Sequence, residues 1–195
     1  MLLDLNVSEV IVGDDFKFGK NRAGDVALLC SMGLSVHQFE SQLVNAERVS
    51  STLVRAALQS ASLNRVEQFL GRPYSMMGRV VHGAKLGRQW GIPTANIFLH
   101  RRVSPISGIF AVKMHGLDRV YNGVANVGTR PTVDGAGRVL LEVHLFDFDA
   151  DIYGCLVEVE FCAKRRDEER YETVDVLIAE IKRDVAWARD FFDQG

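Results

Sequence analysis

The sequence predicts a mainly β protein: a small antiparallel Greek-key-like β-barrel with a C-terminal amphipathic helix, preceded by a partial Rossmann-like α/β segment. Three observations carry this. Between residues 78 and 161, strand-rich stretches are separated by glycines and polar turns. The last segment places apolar residues three and four apart, the period of a helix with one buried face. Before residue 71 the texture is different, with short β-branched runs alternating with helical stretches.

Taken in order, Val10–Val12 reads as a strand, Asp25 as the cap of a helix over Val26–Met32, and Leu34, Val36 and Phe39 as a second strand. Ser51 is placed to cap a helix containing Thr52 and Arg55. Leu63–Leu70 is helical, Gly71 suits the left-handed residue that closes it, and Pro73 stops its continuation. The domain join is therefore expected near Gly71, separating residues 1–70 from 71–195. Strands follow at Gly78–His82, Ile109–Met114, Gly123–Val127, Val139–Phe148 and Leu156–Phe161. In the final helix Val174, Leu177, Ile178, Ile181, Val185, Ala188 and Phe192 form the apolar face, with Asp175, Glu180, Arg183 and Arg189 opposite.

Composition narrows the function classes. The chain has 195 residues, of which 47% are hydrophobic and 25% charged, the balance of a globular protein rather than a disordered or fibrous one. Its 23 Lys and Arg against 25 Asp and Glu leave a net charge of -2, which gives no global field for nucleic acid or an anionic membrane. Any anion site must be local. Cys30, Cys155 and Cys162 cannot pair completely and match no zinc spacing, and no signal sequence or long apolar run occurs, so a reducing cytoplasm is expected.

One segment breaks the charge balance: Arg79 to Arg102 holds Arg79, Lys85, Arg88, Arg101 and Arg102 and no acidic residue. Within it, Gly83-Ala-Lys85-Leu-Gly87-Arg88 follows a strand and can turn backbone N–H groups toward a phosphate while Lys85 or Arg88 offsets its charge. On composition alone a basic hairpin tip is the favoured reading. Next comes Gly91-Ile-Pro-Thr-Ala-Asn96, where Thr94 and Asn96 point the same way if extended and can share one hard cation, although an ordinary Pro-Thr-Asn turn explains the same residues. On Leu141-Glu-Val-His-Leu-Phe-Asp-Phe148, alternation puts Glu142 with His144, Phe146 and Phe148 on one face. Burial there makes Glu142 a general base; exposure makes it an ordinary strand glutamate. The stretch Gly13 to Asn21 has the wrong spacing and lacks the hydroxyl residue of a P-loop, and the histidines show no metal pattern. The run Arg165 to Arg170 reads as a solvated turn with room for a substrate contact.

Together these pieces resemble the riboflavin kinase domain at the C-terminus of bifunctional bacterial riboflavin kinase/FAD synthetases. The resemblance covers residues 71–195 and rests on Leu70-Gly-Arg-Pro-Tyr74, Gly78-Arg-Val-Val-His-Gly83, Gly91-Ile-Pro-Thr-Ala-Asn96, Gly123-Val-Ala-Asn-Val-Gly128 with Arg130-Pro-Thr132, and the strand bearing Glu142. It implies a barrel kinase in which Gly83, Lys85, Gly87 and Arg88 border ATP, with Arg130 as a further phosphate contact, and Thr94 and Asn96 help hold Mg2+. Glu142 becomes the base that takes the proton of the riboflavin 5'-hydroxyl, yielding FMN and ADP. Phe146, Phe148, Tyr171 and the final helix are the aromatic candidates for the flavin ring.

Residues 1–70 resemble the later part of the family's nucleotidyltransferase domain through Val12-Gly-Asp-Asp-Phe-Lys-Phe-Gly19 and Val49-Ser-Ser-Thr-Leu-Val-Arg55. The histidine-x-glycine-histidine phosphate motif that the resemblance calls for is not in this sequence, so FMN adenylyltransferase activity is expected to be absent and the N-terminal domain truncated. An incomplete sheet there is expected to be loose or to self-associate. Two alternatives stand beside the kinase: a flavin- or nucleotide-binding remnant without turnover, and part of a bifunctional enzyme completed by another chain.

Overall fold

The computed structural model describes residues 6–83, 86–101, 103–130 and 138–194, with backbone only at 86, 129, 130 and 138. The chain divides into two compact units between Ser50 and Ser51.

In the first unit β1 (Glu9–Gly13) lies parallel to β2 (Ser35–Phe39), and α1 (Val26–Ser31) connects them. That is a strand–helix–strand crossover of the expected kind. Asp25 caps α1 by accepting from the Leu28 N–H at 3.1 Å. A two-stranded ribbon, β3 (Leu43–Val44) and β4 (Glu47–Arg48), follows. Asp14 ties the loop after β1 to this region, accepting from the Ser41 backbone N–H at 2.9 Å and hydroxyl at 2.8 Å.

The second unit opens with α2 (Ser51–Gln59) and α3 (Leu63–Leu70). Gly71 ends α3 with φ 69°, the left-handed cap anticipated there. The unit boundary lies twenty residues before that cap because Ala57, Leu58, Leu63 and Val66 bury their side chains in the same apolar core as the barrel. Ser51 is the first residue of α2 itself.

The barrel contains β5 (Ser75–Val81), β6 (Ala95–Phe98), β7 (Gly108–His115), β8 (Tyr121–Arg130), β9 (Arg138–Leu145) and β10 (Leu156–Arg166). It closes in the order β10-β5-β6-β9-β8-β7, every pairing antiparallel. Because β10 returns beside β7 at the head of the β7-β8-β9 meander, the chain follows a Greek key. Strand alternation sends Met76, Val80, Phe110, Val112, Leu141 and Val143 inward, all nearly or fully buried. Each such side chain contributes about 1.5–3 kcal/mol by leaving water.

Helix α5 (Val174–Asp193) lies on the outer face of β7 and β8, where Ala188, Val185 and Trp187 meet Ile109, Ala111 and Val124. Thr173 caps it, accepting from the Val176 N–H. Among the described residues one polar side chain is buried on this face: Asp184 receives a two-pronged contact from Arg166, Nε at 3.1 Å and an Nη at 2.7 Å. Arg166 is thus not part of a solvated turn; it clamps the end of β10 to α5. Val174, expected on the apolar face, is exposed because the helix leaves the barrel wall at its first turn.

A second correction concerns β9. The strand stops at Leu145, where the Phe146 N–H turns to the Asn122 carbonyl at 2.9 Å and Asp147 takes φ 52°. Alternation therefore fails beyond His144. Phe146 packs under α5, and Phe148 joins the other core, edge-on to Tyr121.

Candidate active site on the barrel wall

The sheet register brings three of the candidate polar residues together. Asn96 on β6 pairs directly with Glu142 on β9, and Glu142 pairs in turn with Asn126 on β8. Directly opposed residues share a face with Cβ atoms about 4.5–5.5 Å apart. Since Ile97, Leu141, Val143 and Ala125 fill the interior, the three polar side chains line up across the outer wall, each half-buried. The short apolar-polar alternation of Ala95–Phe98 makes this possible: Ile97 anchors β6 inside while Asn96 faces out.

Two glycines bring the basic loop against this row. A Cβ on Gly83 would collide with the Asn96 amide, so the end of β5 runs directly over that side chain. A Cβ on Gly87 would collide with the Ile92 carbonyl and lie 3.6 Å from the Thr94 hydroxyl oxygen. The turn is drawn tight by the Gly87 carbonyl, which accepts from the Trp90 N–H at 3.1 Å and the Ile92 N–H at 2.8 Å, and by Gly91 at φ 74°. Gly83, Gly87, Thr94 and Asn96 are therefore neighbours. Arg88 is exposed on the short helix α4 (Leu86–Gln89) that forms this loop. Lys85 lies outside the described residues, as does the side chain of Arg130, whose backbone ends β8 opposite Arg138.

His144 supplies a lock that the sequence did not reveal. Its Nδ1 donates to the Pro93 carbonyl at 2.8 Å, tying the strand that carries Glu142 to the residue before Thr94. The turn beyond it is held by Arg189, which reaches both oxygens of Asp147 at 2.9 and 3.0 Å and lies over the Phe146 ring. Arg189 holds the Asp147 carboxyl below its ordinary pKa, with lesser help from Arg119 and His144. The aromatic candidates are engaged in packing: Phe146 and Phe148 as above, and Tyr171 against the Arg166 guanidinium at 5.8 Å.

The Asn96 amide beside the Glu142 carboxylate, with the Thr94 hydroxyl two residues back along the chain, offers the oxygen types that suit a hard cation that also keeps water and phosphate oxygens. Among the described residues no group of three or more His, Cys, Asp or Glu side chains gathers to offer a competing metal cage. The donor set fits magnesium. A cavity of about 750 Å³ lies elsewhere, between α3, the outer side of β7 and β10, and the end of α5. The candidate row on the wall rests on register, which sets Asn96, Glu142 and Asn126 side by side, rather than on concavity.

Residues 70–192, more than half of the chain, match the family model described as riboflavin kinase. The chain belongs to the riboflavin kinase family. Residues 1–53 match a second model, described as FAD synthetase. The bifunctional riboflavin kinase/FMN adenylyltransferase of Haemophilus influenzae is 48% identical over 194 residues, covering 97% of this chain and 63% of the relative. That of Escherichia coli K12 is 46% identical over 193 residues, covering 96% and 61%. This riboflavin kinase family member thus spans about three-fifths of the length of those relatives. Among solved structures, a Streptococcus pneumoniae protein described as a macrolide-efflux protein superposes with TM-score 0.70 and 31% identity over 94% of this chain and 60% of its own.

Proposed function

We propose that the chain is an ATP-dependent riboflavin kinase, moving the γ-phosphoryl group of ATP to the riboflavin 5'-hydroxyl and giving FMN and ADP. The observation that supports it is the register that sets Asn96 directly beside Glu142, with Gly83 and Gly87 folded over the same spot. Phosphoryl transfer asks a protein for in-line placement and charge stabilisation more than for covalent chemistry. Glu142 accepts the proton of the attacking alcohol. The Gly83–Arg88 loop offers backbone N–H groups and the Arg88 charge to the phosphates, with Lys85 and Arg130 assigned to the same task. Thr94 and Asn96 hold the magnesium that travels with ATP, and bound Mg2+ offsets charge on the transferring phosphoryl group. His144, through Pro93, fixes Thr94 relative to the base.

The free cysteines fit a reducing compartment, and we place the reaction in the cytoplasm. Self-association through the exposed apolar side chains of the first unit is part of the same reading, and light scattering across a concentration series measures it. The activity is tested by chromatography of the flavins formed from riboflavin, ATP and magnesium, beside a Glu142→Gln variant and a metal-free control. FMN that disappears in both controls is the expected result. Unconverted riboflavin in the unmutated protein would overturn the kinase, and FAD would overturn the expectation that adenylyl transfer is absent.

A further inference from the structure

We propose that Asn126 is the residue that receives the polyol chain of the flavin, accepting a hydrogen bond from the secondary hydroxyl next to the one phosphorylated. The proposal rests on the riboflavin kinase reading and adds a specificity residue to it. Its first support is position. Glu142 stands between two amides, Asn96 on one side and Asn126 on the other. The Asn96 side is the side of Gly83, Gly87 and Thr94, hence the phosphate side. In an in-line transfer the carbon chain of the attacking alcohol leads away from phosphorus, which here means across Glu142 toward Asn126.

The second support is an unmet need. Asn126 Oδ1 is buried and has no hydrogen-bond partner, a costly state for an amide oxygen. A ligand hydroxyl would satisfy it. The torsion that turns an asparagine amide is soft, so the oxygen can meet an incoming donor without disturbing β8. Proton bookkeeping then decides which hydroxyl. The primary 5'-hydroxyl has a single proton and gives it to Glu142, so the donor to Asn126 is its neighbour on the chain, the 4'-hydroxyl. Beyond Asn126 the row ends at Ile109, which is buried against α5, so the polar row has its closed end there. Asn126 was legible in the sequence only as part of the Gly123–Gly128 motif, with no signal that it faces the base.

The test compares riboflavin with 4'-deoxyriboflavin as substrates for the unmutated chain, Asn126→Ala and Asn126→Ser. In parallel, binding of each flavin is read by fluorescence quenching. The unmutated protein is expected to prefer riboflavin about tenfold in kcat/KM, the worth of one hydrogen bond. Asn126→Ala should lose that preference while its KM for ATP stays put, a split that general loss of structure would not produce. Asn126→Ser, which keeps an acceptor oxygen, should retain part of the preference and reads the point if the alanine variant does not fold. An undiminished tenfold preference in Asn126→Ala, or an equal rise in the KM for ATP, overturns the proposal while leaving the kinase standing. If the chain binds without turnover and the variant still abolishes discrimination in binding, the kinase reading fails and Asn126 keeps its role. A chain that binds neither flavin sinks both.

Discussion

The first fifty residues and the barrel use the same strand-forming residue types with opposite results. In β1 and β2, Ile11 and Phe39 are 65% and 62% exposed, whereas Phe110 and Leu141 in the barrel are at 0%. Among the described residues β1 and β2 pair only with each other, while every barrel strand has a partner on both sides. A strand's apolar face is buried by what covers it, not by its composition, and a two-stranded sheet has too little of either. Closure does more than bury. It fixes which residues stand opposite one another, and the candidate chemistry depends on that register.

The comparison is sharpest where chemistry can be removed without touching the fold. Glu142→Gln is expected to lower FMN formation by about 100- to 10,000-fold while riboflavin binding and the unfolding transition stay in place. Loss of cooperativity in that variant would mean that Glu142 holds the barrel rather than working on its surface.

Asp184→Ala attacks the barrel instead. Leaving the Arg166 guanidinium without its buried partner should cost about 3–5 kcal/mol, read as a lower urea midpoint, with no change in how fast Cys30 in the first unit reacts. The cysteines measure the two regions side by side. Cys30 is exposed, whereas burial, reinforced by Glu160, pushes the Cys162 thiol up to about 11. At pH 8 that leaves about two orders of magnitude less thiolate than an ordinary thiol, so a disulfide reagent should label Cys30 first by a wide margin. Equal rates would break the contrast.

Smaller effects probe the site's edges. Gly87→Ala, which presses on the Ile92 carbonyl, should raise the KM for ATP with magnesium about tenfold and leave the KM for riboflavin alone. Asp147→Asn should matter least. Because Arg189 depresses the Asp147 pKa, the carboxylate's contribution is present above its ordinary value of 3.8 and is lost as pH falls through the depressed one. The difference in unfolding midpoint between the variant and the unmutated protein should therefore be small at pH 7 and vanish in acid. A difference that grew on acidification would reverse that sign.

Much of the architecture was legible from local pattern. The helix over Leu63–Leu70 with its glycine cap, the spacing along α5 and the strands flanked by turns are all decided within a few residues of themselves. The residues assigned to the site could be proposed one motif at a time, but not their meeting. Asn96 and Glu142 belong to strands that only barrel closure makes adjacent, and the sequence around β6 reads better as an ordinary turn. The misses share that cause. Arg166 finds Asp184 only after α5 has crossed the wall, and Phe146 and Phe148 part company because Asn122, on another strand, captures the Phe146 N–H. His144 looked like one more strand histidine until the Pro93 carbonyl was brought to it.

A row of side chains spread over three hydrogen-bonded strands also acts as a ruler. Neighbouring strands are held about 4.8 Å apart by their backbones, whatever the side chains are. The separations from Asn96 to Glu142 and from Glu142 to Asn126 are therefore multiples of a backbone constant. Drift in the surrounding loops cannot stretch them. If the row works as proposed, one end can change what it grips while the other end keeps its hold, so preference for the phosphate donor and preference for the alcohol can diverge separately over evolutionary time.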